Sequence, residues 1–236
     1  MKRLALILTA VLCLVACGEM DKSYFPVNEM VSIVNGSIVN DNGVKYRATN
    51  IDITEMSKHE RVLVEGRACL PEDPDAPYDY ELEISGYYEV TIQDAVKASA
   101  SEEGWGDSPI MVNKAWFANG YLNILVAVSY QKGTGYKGEI NLVYDDVSST
   151  KDNIIFNIVN KQEGKTWANE EMTEGDIEFG MTYYSFKYLD LLPADAKGDI
   201  TATLNWIWFE GNYNIESSLP SHKTVNRSDS CDIYLE

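Results

Sequence analysis

The 236-residue sequence predicts an all-β fold in two modules, a small barrel followed by a two-sheet sandwich. Three observations predict it. Apolar and polar residues alternate along many short stretches, the signature of half-buried strands. Turn-forming clusters such as Asp41-Asn42-Gly43 and Gly133-Thr134-Gly135 separate those stretches. Beyond the first sixteen residues, scarcely any 3.6-residue periodicity competes with the alternation.

The first stretch is of another kind. Lys2 and Arg3 precede an apolar run, Leu4 to Val15, broken only by Thr9. The run is too short to span a bilayer and the right length for the core of a signal peptide. Leu14-Val15-Ala16-Cys17 resembles the lipobox of bacterial lipoproteins. That resemblance implies cleavage after residue 16, a diacylglyceryl group on the Cys17 thiol and a further acyl chain, such as palmitate, on its amine. Each buried methylene adds about 0.8 kcal/mol, so several chains on one residue hold far better than one. The competing reading, a buried helix and an ordinary thiol, is opposed by charge, length and cysteine position together. Glu19 and Asp21 resemble the acidic tag that some Bacteroidetes lipoproteins carry behind the cysteine for surface export, although any solvated tether also favours charge. The expected address is the outer membrane, lipid-anchored, with the face left open.

Without Lys2 and Arg3 the 19 basic residues fall to 17 against 37 acidic ones, a net charge of −20 for residues 17–236. Such a surface repels phosphate backbones, so nucleic acid is not an expected partner. Charged partners should be cations or basic proteins. Cys13 leaves with the signal and Cys17 is acylated, so Cys69 and Cys231 remain in an oxidising compartment. Two readings stand open for them, a disulfide or two separately buried thiols.

Residues 17–29 read as a lipidated tether, charged and without a sustained period. Residues 30–97 read as the first module. Val31 and Ile33 alternate, and Ser37 to Asn40 meets Val44 to Arg47 across Asp41-Asn42-Gly43, where asparagine and glycine tolerate the positive φ of a tight turn. Arg61 to Leu70 forms another strand. Pro71 to Pro77, with three prolines, cannot. Tyr78, Tyr80, Leu82 and Ile84 share one face of the next strand, and Tyr88, Val90 and Ile92 continue a last one. Four or five short strands in about 70 residues suit a small barrel. Residues 98–109, small and polar around Trp105, read as a linker. In 110–236, strands are expected around Leu122 to Tyr130, Ile140 to Tyr144, Asn153 to Val159, Phe179 to Leu189, Ile200 to Phe209 and Cys231 to Leu235, with a turn at Gln162 to Lys165. That set suits a sandwich.

The layout resembles the NigD-like lipoproteins of Bacteroidetes. The stretches that carry the resemblance are Arg61 to Gly66, Tyr78 to Ile84, Trp116 to Ile124, Tyr184-Ser185-Phe186 and Asn205 to Trp208, spread over most of the chain behind the signal. The resemblance implies an N-terminal OB-like barrel before an immunoglobulin-like antiparallel β-sandwich. The family takes its name from association with a bacteriocin operon and has no agreed catalytic residues, so none is carried over.

Chemistry is sparse. His59 and His222 are the two histidines, and neither has a second ligand at metal spacing, so no metal or other cofactor is expected. No GxSxG, GxGxxG or Walker-type loop appears. Asp145-Asp146 and Glu170-Glu171 could serve as a carboxylate pair only if a concave site raised one pKa; solvated loops explain them better. Residues 145–153 lack the glycine and terminal glutamate of a calcium loop, and Lys151 intrudes. Asp73 and Asp75 in the proline loop are treated alike. Trp206 and Trp208 share a strand face that Leu204 extends, which points to core; an open face would instead make an aromatic platform for sugars or peptides. The functional expectation is a non-enzymatic, lipid-anchored binding or assembly module for a glycan or protein. The alternatives are an immunity-like partner of a basic antibacterial peptide and a carboxylate-based glycoside hydrolase.

Overall fold

Strands and short 3₁₀ turns make up all the regular structure in the described residues of the computed structural model, 22–100, 105–162, 177–210 and 224–235. Two units divide between Glu89 and Val90.

The first unit is a closed barrel of β1 (Phe25–Val34), β2 (Ser37–Asn40), β3 (Lys45–Ala48), β4 (Arg61–Cys69) and β5 (Tyr80–Glu89), ordered β1-β2-β3-β5-β4. One pair, β3 with β5, is parallel, and β1 closes the barrel against β4. This is the OB arrangement. The β1–β2 hairpin turns on Asn35 and Gly36, at φ 51° and 80°, the left-handed pair that matches strand twist. Asn40 holds the next turn: its Oδ1 accepts from the backbone N–H groups of Asn42 and Val44, both at 2.9 Å. Val31, Ile38, Val62, Val64 and Leu82 fill the interior with Met56. Arg61 is also fully buried. It donates through Nη2 to Asp41 Oδ1 at 2.6 Å and through Nη1 to Ser32 Oγ at 3.3 Å. At Gly66, where β4 bulges against β5, a Cβ would lie 2.2 Å from the Glu83 carbonyl oxygen, so only glycine admits that approach.

The second unit is a sandwich. Its strands are β6 (Thr91–Asp94), β7 (Val96–Lys97), β8 (Met111–Ala118), β9 (Tyr121–Gln131), β10 (Gly138–Tyr144), β11 (Asn153–Gln162), β12 (Ile177–Lys187), β13 (Gly198–Phe209) and β14 (Thr224–Leu235). One sheet has the order β14-β13-β11-β10-β7 and the other β6-β12-β9-β8. Ile124, Val126, Leu142, Phe156, Phe186 and Leu204 are among the side chains packed between them. Among the described residues four strand pairs are antiparallel and three are parallel: β6 with β12, β7 with β10, and β11 with β13. The parallel pair β11–β13 follows from the chain visiting the opposite sheet, as β12, between the two.

Three boundaries differ from the sequence reading. Strand begins at Phe25, inside the expected tether, because β1 needs those residues to pair with Arg67 and Ala68. Residues 91–97, expected in the barrel, supply one edge strand to each sandwich sheet. The expected linker is partly woven into the sandwich: Ser108 N–H donates to the Asn160 carbonyl at 3.0 Å and Ile110 N–H to the Ile207 carbonyl at 2.8 Å. Backbone bonds hold this segment, which explains why its side chains read as a linker. No helix among the described residues is long and apolar enough to cross a membrane.

Candidate functional site

The parallel ladder between β11 and β13 ends at Asn157 and Asn205. Beyond that point residues 106–110 run between the two strands, bonded to one at Asn160 and to the other at Ile207. Gly106 makes the insertion feasible. Its φ is 106°, and a Cβ there would sit 2.6 Å from the Asn160 carbonyl oxygen. The divergence opens a cleft of about 490 Å³ on the five-stranded sheet. Asn157, Asn205, Asn226 and Ser228 bring amides and a hydroxyl to it from three strands, and Ser108 adds a second hydroxyl. Residues directly opposite across strand pairs share a face, so Asn157, Asn205 and Ser228 form one polar row. Asn205 Nδ2 donates to Asn157 Oδ1 at 3.3 Å, which uses one polar atom of each amide and aligns both. Ile207, Val159 and part of Trp206 add apolar surface.

Among the described residues the lining carries no carboxylate, in a chain with 37 acidic residues. Its one charged side chain among the described residues is Arg227, whose Nη2 donates to the Phe209 carbonyl at 3.4 Å. A site of this composition can exchange hydrogen bonds with a neutral, hydroxyl-rich molecule, since each amide offers both donors and an acceptor. Among the described residues it holds no acid–base pair. Elsewhere Asp52, Glu81, Glu83, Asp145 and Asp146 all titrate below the usual carboxylate range. Thr54 bonds hold Asp52 down, Lys22 acts on Glu81, Arg67 on Glu83, the Ser148 N–H on Asp145 and Ser99 on Asp146. A general acid needs the opposite shift.

The residues singled out in the sequence are scattered. Cys17, His222 and Glu170-Glu171 lie outside the described residues. Cys69 is buried at the end of β4, Cys231 is exposed on β14, and both are free thiols. The disulfide reading is therefore not what the structure holds, and of the pair only Cys69 is buried. Trp208 is buried edge-on against Phe209, with ring centroids 4.8 Å apart. Trp206 is half-buried, packing on the sandwich core while it lines the cleft. The two tryptophans thus form no open platform; Trp206 reaches the cleft but packs on the sandwich core. His59 Nε2 stands 3.2 Å from Glu89 Oε1. Asp145 caps its own turn, accepting from Val147 and Ser148 N–H groups, and Asp73 does the same for Asp75. No group of three or more His, Cys, Asp or Glu side chains among the described residues is placed to hold a metal. On the barrel, a depression of about 670 Å³ includes Tyr46, Arg47 and Tyr78, but the Arg47 guanidinium already covers the Tyr78 ring at 4.9 Å.

The family model for the NigD-like C-terminal beta sandwich domain matches residues 92–212, more than half of the chain. The chain belongs to the NigD-like family. The match begins at Ile92, within β6, in agreement with the division at Glu89 and Val90. No curated protein matches the sequence. Solved structures share its fold at low identity. A NigD-like immunity protein from Bacteroides caccae is 14% identical, with a TM-score of 0.54 over 93% of this chain and 100% of its own. A proposed toxin-related protein from Parabacteroides distasonis is 15% identical, with 0.58 over 90% and 94%. A proposed lipoprotein from Bacteroides fragilis is 13% identical, with 0.57 over 88% and 97%. These likenesses show that both units of the NigD-like chain recur together.

Proposed function

We propose that this NigD-like protein is a lipid-anchored, non-enzymatic binding module of the outer membrane whose sandwich cleft takes a neutral saccharide. The observation that carries the reading is the amide-lined cleft where β11 and β13 part, without a carboxylate among its described residues. A neutral polyol gains from paired amides and hydroxyls and suffers no repulsion from the acidic surface around it. Screening the full chain against an array of neutral glycans tests it, in low and in high salt. Binding should persist in both, because uncharged contacts are barely screened. Asn205→Ala should weaken it by about tenfold, the effect of losing one to two hydrogen bonds. No glycan bound by the wild type, or equal binding by the variant, would remove the reading.

The anchor has its own test. Cys17→Ala should move the protein wholly from the membrane fraction to the soluble one, and continued membrane residence would defeat the assignment of the lipid.

The net charge of −20 on residues 17–236 supports a second reading, capture of a basic antibacterial peptide, in keeping with the immunity protein among the structural relatives. It predicts binding that collapses with salt, the reverse of the glycan result.

A further inference from the structure

The chain is pinned where it enters the barrel. Lys22 Nζ lies 3.0 Å from Glu72 and 2.8 Å from Glu81. The Arg67 guanidinium covers the Tyr24 ring at 4.5 Å, and the Tyr24 hydroxyl donates to Glu83 at 3.2 Å. Phe25 packs edge-on against Tyr80, with ring centroids 5.0 Å apart. Residues 22–25 therefore run beside 68–72 and fix one end of the barrel as the point of entry. That same end gathers apolar surface. Of nine exposed large hydrophobic side chains among the described residues, three stand here: Leu70, 71% exposed, with Tyr24 and Phe25 at 39% and 38%. Phe25 pairs with Ala68, so Leu70, two residues on, stands diagonally across from it. Lys22, Arg47 and Arg67 meet Glu72, Glu81 and Glu83 in ion pairs, so this edge carries little of the −20 net charge.

We propose that Leu70, Tyr24 and Phe25 make a shallow contact with the lipid bilayer that holds the protein's own anchor. The inference rests on the lipid reading of Cys17. Cys17 is five residues before Lys22. An extended chain covers at most about 3.6 Å per residue, so the tether reaches no further than about 18 Å. β1 alone, with ten residues, is longer, at about 33 Å. The end of the barrel that carries Leu70 is therefore kept beside the membrane whichever way the domain leans. Three side chains are too few for a stable protein interface, which takes about 20–30 residues a side. They suffice for a domain already tethered, because a linked second contact forms at high effective concentration. A tyrosine ring beside apolar side chains is a composition that favours the membrane–water boundary. Asp73 and Asp75, exposed in the loop that follows, keep the contact at the level of the headgroups.

The test uses the full lipidated chain reconstituted in phosphatidylcholine vesicles. Cys231→Ser removes the exposed thiol, and Leu70→Cys then takes an environment-sensitive fluorophore. Val147→Cys, at a position 85% exposed on a sandwich turn, takes the same label as the control, and buried Cys69 stays unlabelled. On vesicles the probe at residue 70 should shift to the blue, lose most of its quenching by iodide and be quenched by nitroxide-bearing lipid. The probe at residue 147 should do none of these. Lys22→Glu with Tyr24→Ala, which unpins the entry, should cut the lipid quenching at residue 70 severalfold without loss of protein from the vesicles. Flotation separates the two readings. A chain that does not float with the vesicles defeats the lipid on Cys17, and this contact with it. A chain that floats with residue 70 as solvent-exposed as residue 147 leaves the anchor standing and overturns the contact. Equal shielding of residue 70 in the soluble Cys17→Ala chain means that protein covers the patch, and overturns it as well.

Discussion

Arg61→Ala is expected to destabilise the barrel by about 3–5 kcal/mol, the cost of leaving one partner of a buried ion pair alone. The Arg61 side chain has no exposed surface, and Asp41 keeps only 11% of its own. Their 2.6 Å contact ties the start of β4 to the turn between β2 and β3, and the Ser32 hydroxyl adds a link to β1. Truncation therefore strands the Asp41 carboxylate in a site built for a guanidinium and removes a clamp on three strands. Asp41→Ala should cost a similar amount. The double change Arg61→Met with Asp41→Leu should recover much of the loss, since apolar groups of like volume need no desolvated partner. Urea unfolding of the three variants, followed through amide exchange in β2 and β4, gives the cycle. A loss under about 1 kcal/mol for the single variants is the value of an exposed pair and would contradict the clamp.

Phe156→Ala should cost the sandwich about 3–5 kcal/mol, as for other large buried aromatics. The ring is fully buried on β11, with centroids 5.7 Å from Tyr188, 5.9 Å from Tyr144 and 6.1 Å from Phe117. Such pairs add about 0.5–1.5 kcal/mol each beyond burial, so one deletion empties volume and breaks three contacts. Phe156→Leu, which keeps most of the volume, should cost about 1–2 kcal/mol. Calorimetry of both variants checks the order.

Much of this fold is legible in the chain, because alternation and turn chemistry are local properties. Asp41-Asn42-Gly43 marks a hairpin, and Asn35-Gly36 and Asn119-Gly120 mark two more by the same φ > 0 mechanism. Leu122 to Tyr130 alternates because one face of β9 packs against the opposite sheet. What is not local is not legible. Nothing in Thr91 to Lys97 announces that its two halves join different sheets, since edge strands have only one neighbour to reveal them. The cleft is hidden for a related reason. Asn157, Asn205 and Asn226 are far apart in sequence and meet only because residues 106–110 wedge β11 from β13. Trp206 is visible as an aromatic candidate; the amides of the cleft have no spacing to betray them. The free thiols show the limit of compartment reasoning, which says that a disulfide is permitted but not that two strands bring sulfurs together.

The closure of the barrel has a mechanical consequence. Phe25, where the chain enters β1, pairs with Ala68, whereas Glu89, where it leaves β5, pairs with Val62 at the opposite end of β4. A pull applied between the chain before Phe25 and the chain after Glu89 therefore enters and exits at opposite ends of parallel-running β1 and β5. The load falls along the strands, and the ladders of β4 must slide as a block rather than peel rung by rung. The barrel should thereby withstand forces that would unzip a hairpin.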